Sequence, residues 1–197
     1  RLEQTLLGFH PLLHLPFQNV DNFLQLRMGV KGMAFPGRQH RPTQLKVLGI
    51  GNLWPNVQWY ASALSAPSGR VSLTGTIAGS GNGIYQENTA FRFAPEKRRC
   101  VTLATLLGSD EGFDLIKMDV QGAELDVIRG GLRIVRNSRY LLLELQTHDY
   151  NLGAPHFEEV VAFLHGEGFA VIDVVDLMYA GDKLIQADVL FLNKKLP

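Results

Sequence analysis

Along the 197 residues of this chain, apolar positions fall in short clusters. Their spacing switches between a strand-like period of two and a helix-like period of about 3.6. The second half reads most clearly. Residues 113–120 (FDLIKMDV) form a strand. Residues 122–135 form one helix, with Ala123, Val127, Ile128, Leu132 and Val135 on a single face. Residues 140–145 (YLLLEL) are a continuous apolar run, the pattern of a strand covered on both faces of a parallel sheet. Residues 155–168 are an amphipathic helix ended by Gly166 and Gly168. Strands at residues 169–175 and 188–192 flank a turn holding Ala180, Gly181 and Asp182. In the first half, strands are expected at residues 12–15, 31–35, 57–64 and 70–76, and helices at residues 21–28 and 42–48. The glycine-rich stretch 78–88 reads as a loop.

Strand, helix, strand, helix, strand, strand is the order of an α/β domain whose parallel sheet ends in an antiparallel hairpin. The whole chain, 1–197, is read as one domain, which suits its length. Hydrophobic residues are 46% and charged residues 19%, enough for a packed core. Nineteen basic and nineteen acidic side chains cancel, so no overall field draws the chain to nucleic acid or to an anionic membrane. Charge balance is compatible with a small molecule or a glycan as partner. The one basic cluster, Lys97-Arg98-Arg99, reads as a solvated loop. A single cysteine, Cys100, excludes an intrachain disulfide and fits a reducing, cytoplasmic setting. No apolar run reaches membrane-spanning length and no signal-peptide pattern opens the chain. The first residue is Arg1, as expected of a trimmed chain or a fragment.

In an open α/β sheet, ligands bind beyond the carboxyl ends of the strands. Asp119 closes the strand 113–120, and Glu144 lies late in 140–145 with His148 four residues on. Strands joined by one short helix are usually neighbours, so Asp119 and Glu144 are expected to face the same crevice. Two readings of Asp119 stand side by side: a functional carboxylate, or a cap on the helix that follows. Lys117 is a nearby partner for it. Glu124 sits in the first helical turn, where negative charge is favoured anyway. His148 is a candidate general base, though loop histidines are commonly inert. No zinc-ligand spacing and no phosphate-binding P-loop occur, and no metal ligand is assigned.

The stretch LIKMDVQGAELDVIRGG, residues 115–131, closely resembles the signature of the FkbM family of methyltransferases. In that family a strand ends in Lys-x-Asp-x-x-Gly-x-Glu and leads into a helix closed by a glycine pair. Residues 100–107 (CVTLATLL) are similar to the family's upstream Thr-Leu-Asp segment, with Ala104 in place of the Asp. Residues 140–145, 157–169, 186–191 and 56–69 also resemble family segments, so the similarity runs from about residue 30 to residue 192. The resemblance implies a class I methyltransferase-like (Rossmann-like) fold: a doubly wound, mostly parallel sheet with an antiparallel C-terminal hairpin. It implies S-adenosylmethionine as cofactor and methyl transfer to a hydroxyl of a sugar or natural-product-like molecule. It implies cofactor contacts at Asp119, Val120, Gln121 and Glu124. Asp119, Glu144 and His148 are the catalytic candidates, able to orient a hydroxyl, take its proton or jointly hold a hard cation such as Mg²⁺. The sequence does not choose among these roles.

The family opens with a strand ending in Asp-x-Gly-x-x-x-Gly, whose glycines let the backbone approach the cofactor. An ungapped count back from Phe35 puts this loop on residues 13–20. There His14 stands for the Asp, Pro16 for the first glycine and Val20 for the second. With no other glycine-rich candidate counted before Phe35, the loop is expected to be degraded. Ala34-Phe35-Pro36-Gly37 likewise lacks the acid that grips the ribose in the family. The alternative expectation is therefore a non-catalytic homologue that acts as a binding module.

Overall fold

The computed structural model describes residues 23–27, 63–64, 69–73, 83–88 and 96–197, with the backbone alone for residues 23–27, 63–64, 69–73 and 96–99. The strands are β1 (Phe23–Arg27), β2 (Ala63–Leu64), β3 (Gly69–Leu73), β4 (Gln86–Glu87), β5 (Glu96–Val101), β6 (Leu115–Asp119), β7 (Tyr140–Gln146), β8 (Asn151–Leu152), β9 (Phe169–Ala180) and β10 (Lys183–Asn193). The helices are α1 (Leu103–Leu107), α2 (Glu124–Gly130), α3 (Leu132–Arg136) and α4 (Phe157–Glu167). The five-stranded sheet has the order β1-β6-β7-β10-β9. β1, β6 and β7 run parallel, and β10 is antiparallel to both β7 and β9. A smaller sheet has the order β2-β5-β3, and β4 pairs with β8.

Alternation along the strands gives the main sheet two different faces. Ile116 and Met118 of β6, Leu141, Leu143 and Leu145 of β7, and Ala187, Val189 and Phe191 of β10 point one way into a single core. Leu125, Val127 and Ile128 of α2, Ile134 and Val135 of α3, and Val160 and Leu164 of α4 complete it. Each fully buried Leu, Ile or Phe contributes about 1.5–3 kcal/mol relative to exposure. Lys117, Asp119, Leu142, Glu144, Gln186, Asp188 and Leu190 point the other way. That second face carries the polar chemistry.

Several expectations change. Where a helix was expected over 21–28, the described part, Phe23–Arg27, is a strand hydrogen-bonded in register with β6, from Phe23 beside Leu115 to Arg27 beside Asp119. A short apolar run fits either period, and pairing with a buried neighbour decided this one. Lys97-Arg98-Arg99 lies in β5, the middle strand of the small sheet, not in a loop. The loop expected at 78–88 contains β4. The helix expected over 122–135 is broken into α2 and α3 at Gly130-Gly131, where two glycines weaken helical backbone. The hairpin strands are longer than expected, at Phe169–Ala180 and Lys183–Asn193. Calls at residues 12–15, 31–35 and 42–48 lie outside the described residues.

Local chemistry accounts for the helix ends. The Thr102 hydroxyl accepts the Thr105 amide at 3.1 Å and starts α1. In α4, Glu159 reaches back to the His156 amide at 2.9 Å, and Gly168 ends the helix in the left-handed conformation. No helix among the described residues is long and apolar enough to cross a membrane.

Gly131 is fixed by packing. A Cβ there would come within 2.7 Å of the Leu103 Cβ, so α1 can approach the α2–α3 joint only over a glycine. Gly131→Ala is expected to lower stability by about 1–3 kcal/mol, seen as a lower urea midpoint at unchanged slope. An unchanged midpoint would show that this approach is not tight.

Candidate functional site

The site forms where the parallel strands end. Arg27 pairs with Asp119 across β1 and β6, and Met118 stands beside Leu143 across β6 and β7. One further step brings Asp119 alongside Glu144. The chain then turns sharply into α2. Gln121 has φ +54° and is the one non-glycine residue of positive φ among the described residues; Gly122 follows at φ +89°. A left-handed non-glycine residue costs about 1–3 kcal/mol unless its surroundings fix it. Here they do. A Cβ on Gly83 would lie 3.1 Å from both the Cβ and the carbonyl oxygen of Gln121. On the other side, a Cβ on Gly122 would lie 2.6 Å from the Ala154 Cβ and 3.1 Å from the Asn151 Cβ. The turn is clamped between two loops.

The held turn aims the Gln121 amide between two carboxylates. Its Nε2 donates to Asp119 Oδ1 at 2.9 Å and to Glu144 Oε1 at 3.3 Å. Gln186 Nε2, from β10, donates to the same Glu144 oxygen at 2.9 Å. Asp119 and Glu144 therefore do share one place, joined through an amide. Asp119 is only 8% exposed, so the half-buried Gln121 and Glu144 lead outward from the cluster rather than Asp119 itself.

The N-cap position of α2 is Ala123, four residues beyond Asp119. Lys117 turns to Asp188 of β10, Nζ to Oδ2 3.5 Å. Burial pushes the Asp188 carboxyl up from its ordinary range, and Lys117 opposes that rise.

Glu124 is not a surface charge at the start of a helix. It is 3% exposed, and its Oε1 accepts the Val120 amide at 3.0 Å. Burial pushes its pKa up to about 8, against the pull of the backbone amides around it and with a small push from Glu144. Near neutral pH it is mostly the uncharged acid. Val120 packs in the core, its amide spent on Glu124 and its carbonyl on the Ala123 amide at 3.3 Å. Val120 and Glu124 thus set the shape of the turn.

His148 lies apart. It is exposed, and its Nδ1 is 3.2 Å from the Thr147 hydroxyl. The neighbouring loop is fastened by Gln146, which accepts the Asn151 amide at 2.8 Å and donates to the Ala154 carbonyl at 2.9 Å. At its rim, His156 Nε2 lies within hydrogen-bonding distance of Asp149 Oδ1, at 2.8 Å. Opposite, Tyr85 donates to Asp126 of α2 at 2.8 Å; burial and that carboxylate push the phenol up to about 12. Among the described residues, no group of three His, Cys, Asp or Glu is placed to hold a metal ion.

The family model for the Methyltransferase FkbM domain matches residues 52–171, more than half of the chain. The chain belongs to the FkbM methyltransferase family. The match takes in Asp119, Gln121, Glu124, Glu144 and His148, and β1 lies before it. No curated protein and no solved structure matches the chain. Membership fixes a methyltransferase-like α/β fold, in keeping with the mixed sheet and its helices.

Sequence reasoning missed two parts of this FkbM site. Gln186 was legible only as part of a closing strand. The second part is the start of the domain. One parallel neighbour of β6 is Phe23–Arg27, and the sequence after it reads Met28-Gly29-Val30-Lys31-Gly32. In sequence, Gly29 and Gly32 follow β1 one residue closer together than in Asp-x-Gly-x-x-x-Gly, with Arg27 at the position of the acid. Residues 13–20, to which the loop was assigned, lie outside the described residues. Alternation of Leu24 and Leu26 with Gln25 and Arg27 was the available signal.

Glu124 makes stability depend on pH. Its folded pKa, about 8, lies above its ordinary 4.5, so the folded state holds the proton longer than the unfolded chain. Stability from this group is full below about pH 4.5 and falls as pH rises toward 8. Glu124→Gln, which can still accept the Val120 amide, is expected to remove that decline, gaining on the order of a few kcal/mol over the parent at pH 8. Urea titrations across pH 5 to 8 measure it. Parallel curves for the two proteins would refute a buried protonated Glu124.

Proposed function

We propose that this FkbM domain transfers the methyl group of S-adenosylmethionine to a hydroxyl oxygen of a sugar or natural-product-like small molecule. One observation carries the reading: β1, β6 and β7 end side by side, and their ends bring Arg27, the Asp119–Gln121 turn and Glu144 together. Ligands of open α/β sheets bind beyond such ends. The residues present fit a cationic cofactor, because two carboxylates meet at the strand ends and an electropositive sulfonium and ammonium are attracted there. When bound, the cofactor supplies an electrophilic methyl group.

The chain's own residues orient the reactants. Gly29 and Gly32, which follow β1 in sequence, are the glycines we put forward for the cofactor loop, with Arg27 in place of the family's acid. Gln121 and Glu144 line the outward side of the cluster. Glu144 is the better placed to receive a hydrogen bond from a substrate hydroxyl, with Asp119 behind the amide as its electrostatic support. Much of the rate gain in such a transfer comes from alignment of oxygen and methyl. His148 is a rim residue in this scheme.

Calorimetry with S-adenosylhomocysteine tests the reading. Binding is expected in the parent. Gly29→Val is expected to weaken it at least about tenfold, a loss of about 1.4 kcal/mol, with the melting temperature unchanged. Absence of heat at millimolar ligand with folded protein would favour the non-catalytic binding module. Asp119→Asn is expected to abolish transfer while leaving the fold intact.

A further inference from the structure

We infer that Gln121 is a positioning residue whose amide occupies the place a divalent cation would take, holding the carboxylates of Asp119 and Glu144 side by side without metal. The use of that pair in methyl transfer rests on the proposed function; the arrangement and its test do not.

Two carboxylates from adjacent strands repel when their oxygens converge. Proteins answer this with a shared proton, a cation bound between the oxygens, or hydrogen-bond donors. The donors are seen here. Gln121 Nε2 carries two hydrogens, and it faces one oxygen of each carboxylate, at 2.9 Å and 3.3 Å. Gln186 supplies another donor to Glu144. A hydrogen-bonding nitrogen between two carboxylate oxygens stands where an oxygen-seeking ion would bind.

The backbone indicates that this amide is more than a convenient link. Its residue adopts φ +54° although it is not glycine, a conformation that favours Gly, Asn or Asp. There is no room for a side chain at Gly83, where a Cβ would lie 3.1 Å from the Gln121 Cβ, nor at Gly122, where one would lie 2.6 Å from the Ala154 Cβ. For the turn alone, glycine would carry no conformational cost. The side chain is what the left-handed backbone delivers between β6 and β7. The neighbouring cation, Lys117, is paired with Asp188 on the same sheet face.

The test is an exchange of charge at constant shape. Gln121→Glu puts a third carboxylate among Asp119 and Glu144. It is expected to melt several degrees below the parent in chelator and to recover when millimolar Mn²⁺ or Mg²⁺ is added, while the parent does not respond to either ion. The double variant Gln121→Glu, Glu144→Gln restores one amide and two carboxylates. It is expected to melt near the parent and to lose the response to cations. The inference is overturned if Gln121→Glu melts like the parent with no cation response, or if the parent is itself stabilised by these ions. If the single variant folds under neither condition, the double variant decides: folded and indifferent to cation supports the inference, unfolded or cation-dependent overturns it. Neither cofactor nor acceptor enters the measurement, so failure of the transferase reading would leave its outcome interpretable.

Discussion

The strand end at Asp119 must become a helix start within four residues, and everything at the site follows from how this is done. Val120 gives its amide to the buried Glu124 carboxyl, so the helix residue reaches back and closes the turn on itself. Gln121 and Gly122 then take consecutive left-handed conformations. Such backbone survives because neighbours over-determine it: Gly83 lies against Gln121, and Asn151 and Ala154 lie against Gly122. The reward is direction. An ordinary strand-to-helix link would let residue 121 point toward solvent, whereas this one sends its amide back between two strands. Glu124 fills its place as a neutral acid, because burial disfavours its ion more than the backbone amides around it favour it.

The two faces of the main sheet divide the work. One face is continuous hydrocarbon from β6 to β10 and packs on α2, α3 and α4. The other carries Lys117, Asp119, Glu144, Gln186 and Asp188 on three adjacent strands. Polar groups in such a place are stable only when they satisfy one another. The pairs seen here do so: Lys117 with Asp188, Gln186 with Glu144, Gln121 with both Asp119 and Glu144. The strands carrying these groups are paired with one another in the main sheet. A ligand bound there, as proposed, would meet carboxylates and amides already held in place.

Strong periodic signals were readable in the sequence. The long apolar run of β7, the amphipathic α4 and the FkbM signature through β6 and α2 each carry many concordant positions, and their placement holds to within a few residues. That Asp119 and Glu144 sit together followed from connectivity, because one short helical link makes parallel neighbours. Other features needed tertiary context. Five residues of β1 are too few to separate strand from helix, so its place beside β6, and with it the glycine pair that follows, stayed hidden. β5 is too polar to announce itself, since Lys97, Arg98 and Arg99 lack the apolar alternation of a half-buried strand. Glu124 looked like a favourable surface charge because position in a helix says nothing about depth. Gln121 looked like one motif letter among many; its meaning lies in a backbone angle and in two partners from different strands.

The central claim is that the ends of β1, β6 and β7 form a ligand site organised around the Gln121 turn. A crystal structure of the protein with S-adenosylhomocysteine tests it most directly. The account predicts the nucleoside beyond those three strand ends, within hydrogen-bonding reach of the Gln121 turn and close to Gly29 and Gly32. A ligand bound elsewhere, or strand ends closed over by packed protein with Asp119, Gln121 and Glu144 sealed beneath, would contradict it.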